Sequence, residues 1–326
     1  MGDAGNSKWT WRPIEPGDVG QWAVMLAAVA AADGEPDHYG EQDLLELFDL
    51  PDFDFASGSI AAYDGNVMVA CASLMTRSTA DPVHELRFDA AVHPAYRRRG
   101  LGGQVLDWVE QAAVPLHEKR YPGRPLTLHG RSNTGTTSEN ALLAARGYRP
   151  VRWWHTMRMD LAAAPPVSAG PDGVDVVGFT PDMLEDARQV RNEAFQDHWG
   201  STETTAETWA HYLSEESFRP GFSYVAYGGG QAIGVLLSYE HDAHTKVTGI
   251  RDLYIGIVGT RRAGRNRGIA SAMLSRALAA GQAAGFGTSS LFVDGDSLTG
   301  ALALYERIGY VVEHTSITQA KVLITS

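Results

Sequence analysis

Apolar positions along this chain fall into short runs or alternations of strand length, separated by longer stretches in which they recur every three or four residues. Residues 9–12 read as a short strand. Trp22, Met25, Leu26 and Val29 lie on one face of a helix from about 16 to 31, and an acidic helix follows at about 42–48. Strands are expected at 59–63 and 67–75, turned by Asp64-Gly65-Asn66, and again at 83–92. Val105, Leu106 and Val109 mark a long helix over 100–117; a strand at 126–130, a helix at 138–146 stopped by Gly147, and a strand pair within 148–159 complete this half. The second half reads alike. A strand at 174–177 leads to Thr180-Pro181, a helix cap followed by proline at the first helical position. Helices to about 195 and at 206–213, strands at 223–227 and 232–239 around Gly228-Gly229-Gly230, and a strand at 250–258 come next. A helix at 268–284 carries Met273, Leu274 and Leu278; then come a strand at 289–294, a helix at 299–308 closed by Gly309, and strands at 310–314 and 318–324. The order β-α-α-β-β-β-α-β-α-β-β thus occurs twice, an internal repeat at domain scale.

Between the repeats lies AAAPPVSAGPDG, residues 162–173, small, proline-rich and nearly uncharged. The expected division is 1–162, a linker at 163–173, and 174–326, sizes normal for globular domains. With 44% hydrophobic and 20% charged residues the chain has a globular composition. Its single cysteine, Cys71, precludes a disulfide framework and a cysteine zinc site and fits a reducing cytoplasm. No apolar run reaches membrane-spanning length, and the first residues lack a signal-peptide core. The net charge of −12 argues against nucleic acid as a partner. Nine acids without a lysine or arginine fall within 33–54, read either as a solvated surface or as a field that attracts a cationic substrate. The histidines show no spacing of metal-binding type on a helix, and no metal is expected.

One motif recurs at matched places. Arg97-Arg98-Arg99-Gly100-Leu101-Gly102 and Arg265-Asn266-Arg267-Gly268-Ile269-Ala270 each follow a strand and open the long helix, their anchor arginines 168 residues apart. First-turn N–H groups lack partners inside the helix, the helix dipole adds positive potential, and glycine lets a bulky diphosphate approach the backbone. A Walker A loop is excluded because Gly-Lys-Ser/Thr is absent. A dinucleotide fingerprint is excluded because the turn comes late in each repeat rather than after its first strand.

The order of elements with Arg-x-x-Gly-x-(Gly/Ala) between the fourth strand and third helix resembles the GNAT superfamily of acyl-CoA-dependent N-acyltransferases. The best-matching stretches are Val92-His93-Pro94-Ala95-Tyr96-Arg97-Arg98-Arg99-Gly100-Leu101-Gly102 and Ala301-Leu302-Ala303-Leu304-Tyr305-Glu306-Arg307-Ile308-Gly309-Tyr310. The tandem layout is similar to that of the mycothiol synthase group of actinobacteria, as is Phe195-Gln196-Asp197-His198-Trp199-Gly200. The resemblance implies an α/β (α+β mixed sheet) fold: two tandem domains, each a mostly antiparallel mixed sheet with splayed central strands flanked by helices. It implies acetyl-CoA as cosubstrate. Its diphosphate would meet the turn and first helical residues, Arg97, Arg98, Arg99, Gly100, Leu101, Gly102 and Gly103 in one repeat. In the other these are Arg265, Asn266, Arg267, Gly268, Ile269, Ala270 and Ser271. The arginine guanidinium groups of Arg97 and Arg265 would lie beside it. Ala90, Ala91 and Val92, and Val258, Gly259 and Thr260, would offer main chain to the thioester arm, one N–H stabilising the oxyanion.

The resemblance also divides the repeats. Tyr305 stands four residues before Gly309, where the family places the donor to the leaving thiolate; Leu143 is its counterpart before Gly147. Glu85 stands 12 residues before Arg97, where the family often places its base. Twelve before Arg265 is Leu253, with Asp252 beside it as the substitute base. A core tyrosine and ordinary strand carboxylates are the alternatives for these three. Asp197, His198 and Trp199 would face the acceptor, or else only close their helix; Trp153-Trp154-His155 is read mainly as packing. The resulting expectation is acetyl transfer to a primary amine of a small molecule by direct attack in a ternary complex, in the second domain, by a cytoplasmic monomer or homodimer. A mycothiol-precursor-like amino sugar, a polyamine or aminoglycoside-type cation, and a protein amine remain open as acceptors. A non-catalytic acyl-CoA-binding or sensor protein is the alternative.

Overall fold

The computed structural model of the protein describes residues 8–51, 53–76, 83–297 and 300–325. The chain forms two compact units, Met1–Arg152 with Ser316–Ser326, and Trp153–Thr315. The first unit is built from β1 (Thr10–Arg12), α1 (Val19–Asp33), α2 (Glu41–Glu46), α3 (Phe55–Gly58), β2 (Ser59–Asp64), β3 (Val67–Met75), β4 (His84–Val92), α4 (Leu101–Arg120), β5 (Leu126–Asn133), α5 (Thr137–Ala145) and the start of β6 (Arg149–Asp160). The second is built from the rest of β6, then β7 (Val174–Gly178), α6 (Leu184–Ala194), α7 (Ala206–Ser214), β8 (Tyr224–Gly228), β9 (Gln231–Tyr239), α8 (Asp242–Thr248), β10 (Asp252–Thr260), α9 (Ile269–Ala283), β11 (Thr288–Asp294), α10 (Ala301–Ile308) and the start of β12 (Val311–Ile324).

In unit 1 the strands run β1-β2-β3-β4-β5-β12, with only β4 and β5 parallel. Unit 2 has β7-β8-β9-β10-β11-β6, with only β10 and β11 parallel. Central strands are apolar on both faces because helices cover both. In β2, Ile60 and Ala62 join the core under α4, with Val105 and Val109, while Ala61 and Tyr63 join the core under α1, with Trp22 and Met25. In unit 2, Met273, Ala277 and Tyr305 pack with Leu253 and Leu291 on one face, and Val190 and Trp209 with Val235 and Leu237 on the other.

Three features differ from the sequence expectation. The strand pairs expected at 148–159 and 310–324 are single long strands, β6 and β12. Neither carries a glycine or proline able to turn it midway, since Pro150 lies at the start of β6. The compact units are consequently not the contiguous stretches 1–162 and 174–326. Residues 316–324 of β12 pair with β5 of unit 1, and residues 154–160 of β6 pair with β11 of unit 2, so each sheet is finished by a strand from the other repeat. Residues 163–173 belong to unit 2, where the Ser168 N–H donates to Ser275 Oγ of α9 at 2.9 Å. Helices α3 and α8 add to the expected elements; α3 is a single turn capped by Asp54, and α8 is closed by Gly249 at φ +74°, with Asp242 near its start. Thr299, where the last helix was expected to begin, lies outside the described residues.

Candidate active site

Both units open a cleft between their parallel strands. β4 pairs with β5 from His84↔Leu126 to Phe88↔Gly130 and no further, although both strands continue. β10 pairs with β11 from Asp252↔Thr288 to Ile255↔Leu291 and then parts in the same way. Ala90–Val92 and Val258–Thr260 therefore lie on the unpaired side of each cleft. Beyond them the two turns share one backbone conformation: Arg98 and Gly100 at φ +62° and +84°, Asn266 and Gly268 at φ +60° and +82°. Arg98 and Asn266 are the only non-glycine residues with positive φ among the described residues. Such a conformation costs an L-residue roughly 1–2 kcal/mol, and strain of this kind collects at functional sites. The first intrahelical bonds are Gln104 N–H to Gly100 O and Ala272 N–H to Gly268 O, leaving the N–H groups of 101–103 and 269–271 available to an anion.

The anchor arginines turn away from where a diphosphate was expected. Arg97 donates twice to Asp33 at the end of α1, both bonds 2.6 Å, and once to Val92 O. Arg265 donates to Ala194 O at 3.0 Å and to Thr260 O, and lies 3.3 Å from Asp197. These side chains tie each turn to the end of the first long helix of its repeat, α1 or α6, so neither of these two guanidinium groups is left facing an anion at the turn. Arg99 likewise donates to Ala95 O and lies over the Tyr96 ring.

A one-residue difference separates the clefts. β4 pairs with β3 in unbroken register from Met75↔Arg87 to Ala70↔Val92. β10 shifts register against β9 between Ile255 and Ile257, so Gly256 is an extra, bulged residue. A side chain there would meet the Tyr239 ring at 2.7 Å. Counting through this bulge aligns Leu253 with Leu86, both buried under the long helix, and aligns Asp252 with Glu85. The apparent loss of the carboxylate twelve residues before Arg265 is a one-residue offset. In unit 1 the Phe88 ring covers the last paired position, where a Cβ on Gly130 would come within 2.2 Å of it.

The two carboxylates differ in surroundings. Glu85 lies 3.7 Å from His129 Nδ1. Asp252 is buried and accepts from Arg158 at 2.6 Å, from Thr288 Oγ1 at 2.6 Å and from Ser290 Oγ. Its neighbour Arg251 pairs instead with Glu240. The Asp252 carboxyl oxygens are thus largely occupied by these donors, a poor arrangement for taking a substrate proton. Tyr305 on α10 is buried with its ring edge-on to Tyr310, 6.0 Å away. Burial, and then the nearby phenol of Tyr254 on β10, raises its pKa well above the ordinary tyrosine range, so it stays a protonated donor. Leu143, its counterpart, is buried in the apolar core of unit 1.

Of the residues expected at the acceptor, Asp197 is placed against Arg262 at 2.7 Å and against Arg265, at the turn. His198 and Trp199 lie instead 5.8 and 6.1 Å from the Trp154 ring, which stacks on Phe292 at 5.3 Å. Trp154 and Phe292 share a sheet face with Ser290 and Arg158, the residues around Asp252. This aromatic wall was the part least visible in sequence, because Trp154 comes from a strand whose partner, β11, lies more than 130 residues further on. The acids of 33–54 are largely engaged within the chain: Asp33 with Arg97, Glu35 with Asn133 at 2.6 Å, Asp37 with Arg131 at 3.2 Å, Asp43 on Gly40 N–H and Asp54 on Ala56 N–H. The geometry gives little to the attracting field considered above.

Known proteins place this architecture. The family model described as the acetyltransferase (GNAT) family matches twice, over residues 25–121 and 184–310. Mycothiol acetyltransferase of Pseudarthrobacter chlorophenolicus is 29% identical over 300 residues, 88% of this chain and 87% of that protein. Mycothiol acetyltransferase of Streptomyces avermitilis is 28% identical over 319 residues, covering 96% and 95%. Among solved structures, a GCN5-related N-acetyltransferase from Sphaerobacter thermophilus superposes with a TM-score of 0.77 at 26% identity, covering 98% of both chains. A tandem GNAT protein from the clavulanic acid biosynthesis pathway shares the fold, with a TM-score of 0.71 at 17% identity over 98% and 99%. With one such domain in each half, the chain belongs to the GNAT acetyltransferase family, as a tandem-domain acetyltransferase similar to the mycothiol acetyltransferases.

Proposed function

We propose that the protein transfers an acetyl group from acetyl-CoA to a primary amine of a small molecule, by direct attack in the cleft of unit 2. The observation that carries this reading is that unit 2 has both the Gly256 bulge and a tyrosine, Tyr305, on its last helix, whereas unit 1 has neither. The bulge turns one stretch of β10 main chain out of its register with β9, supplying N–H groups for the oxyanion that develops on the thioester carbonyl. The amine nitrogen forms the new C–N bond, the C–S bond breaks, and the leaving thiolate takes its proton from Tyr305. The amine loses its proton to water, because the Asp252 carboxylate is held by Arg158 and two hydroxyls. Unit 1 keeps the phosphate turn but has Leu143 and Phe88 in place of these features, which supports a degenerate copy that holds acyl-CoA without using it. The relatives named mycothiol acetyltransferases support the amino-sugar class of acceptor among the three considered. Release of free thiol from acetyl-CoA, followed across a panel of amino sugars, polyamines and peptides, tests this. Turnover with an amino-sugar amine is the expected result; no thiol release with any amine would leave only acyl-CoA binding.

A further inference from the structure

One aromatic ring of unit 2 lies exposed where the parallel strands part. β11 keeps its partner β10 as far as Leu291↔Ile255, and Phe292 is the next residue. It is the one exposed residue of β11, at 37%, between the buried Leu291 and Val293. Neighbouring side chains on a strand point to opposite faces. Leu291 packs in one core with Met273 of α9 and Tyr305 of α10, so Phe292 faces the other side of the sheet, away from the leaving-group donor. On that side α6 and α7 cover β8, β9 and β10, and among the described residues none of β11 or β6 joins their core.

Trp154 of β6 stacks on Phe292 with ring centroids 5.3 Å apart and 10° between the planes. Trp154 is itself buried, so the exposed ring is fixed from behind. Polar groups adjoin it on the same face: Thr156 directly opposite on β6, and Ser290 with Arg158 one pleat further along. Arg158 is held by Asp252 and by Glu313, whose side chain is 41% exposed. An apolar ring bordered by hydrogen-bonding groups suits a ligand with a C–H face and a rim of hydroxyls, as a pyranose has. It suits a polyamine poorly, which has no face to stack and would bring positive charge up to Arg158. Unit 1 has no such ring. The residue after its last β4–β5 pair is Arg131, tied to Asp37, and the place of Trp154 is taken by Ser316, which pairs with Asn133 as Trp154 pairs with Asp294.

We infer that Phe292, backed by Trp154, is the platform on which the sugar ring of the acceptor lies, and that it selects ring-bearing amines over linear ones. The inference rests on the reading that unit 2 carries out acetyl transfer.

Thiol release from acetyl-CoA, measured with a methyl glucosaminide and with putrescine, tests the platform. Phe292→Ala is expected to raise KM for the glucosaminide about tenfold, with kcat, the rate with putrescine and the affinity for acetyl-CoA unchanged. Phe292→Trp keeps an aromatic face and should retain the preference for the sugar. An unchanged KM for the glucosaminide in Phe292→Ala, or an equal loss with both amines, would overturn the platform. Saturation-transfer NMR of the glucosaminide on the coenzyme A complex gives a readout without turnover. Irradiating aromatic protons should reach the C–H groups of one sugar face in the wild type and not in Phe292→Ala. Absence of that transfer in the wild type would overturn the platform, whereas transfer in a chain that releases no thiol with any amine would overturn only the acetyl-transfer reading beneath it.

Discussion

In the proposed reaction, Tyr305 is the single side chain whose removal best separates chemistry from binding. Tyr305→Phe deletes one hydroxyl in a buried apolar setting. Affinity for acetyl-CoA should survive, while kcat falls by ~10²–10⁴, the usual cost of losing a general acid. Glu85→Gln, in unit 1, should leave kcat within about twofold, against that same scale. Steady-state kinetics on the two variants checks both, and the reverse pattern would move the chemistry to unit 1. At this scale the sequence located Tyr305 on its helix and the two turns before the long helices, because their spacing from a closing or capping glycine is local. It misled on the carboxylates. Counting back from Arg265 lands on Leu253, and only the bulge at Gly256 reveals that Asp252 holds the place of Glu85. It also could not foresee that Arg97 and Arg265 point back to the ends of α1 and α6, since Asp33 and Asp197 lie more than 60 residues away.

At the scale of elements, the turn between strand and helix is the part both repeats preserve. Gly100 and Gly268 adopt the left-handed conformation, and Gly268 has nothing within 4 Å of where a side chain would sit. Gly268→Val therefore acts through backbone strain, estimated at roughly 1–2 kcal/mol, and through the bulk it presents to an approaching diphosphate. It should raise KM for acetyl-CoA about tenfold or more with a smaller effect on kcat. Unchanged acetyl-CoA binding in the Gly100→Val and Gly268→Val double variant would remove the phosphate role from both turns. The alternating and periodic patterns located nearly every strand and helix, because each is amphipathic or continuously apolar over its own length. The long strands β6 and β12 were read as pairs because their halves serve different sheets, and a local pattern carries no record of which partner a residue meets.

At the scale of the molecule, the exchange of final strands makes each compact unit depend on residues from the other repeat. Removing residues 316–326 should unfold or loosen unit 1, exposing the edge of β5, while β6 keeps its pairing with β11. Hydrogen exchange on the truncated chain should show loss of protection in β4 and β5 first. Charge adds a pH dependence. The Glu139 carboxyl is raised above its unfolded value, so its contribution to stability is full below about 4.5 and is lost as pH rises through about 7. Glu139→Gln should accordingly raise the melting temperature by ~2–5 °C at pH 8 and by less at pH 5; an equal effect at both would mean the carboxyl is not buried among like charges. The strand exchange has a last consequence, for the order in which the molecule can be made. A domain whose strands are contiguous can fold as soon as it leaves the ribosome. Here the sheet that begins at Thr10 waits for its sixth strand until residues 316–324 emerge, almost the whole chain later. Until then β5 presents a bare edge to any neighbouring nascent chain, so translation stalled within the second repeat should release aggregation-prone protein rather than a half-enzyme.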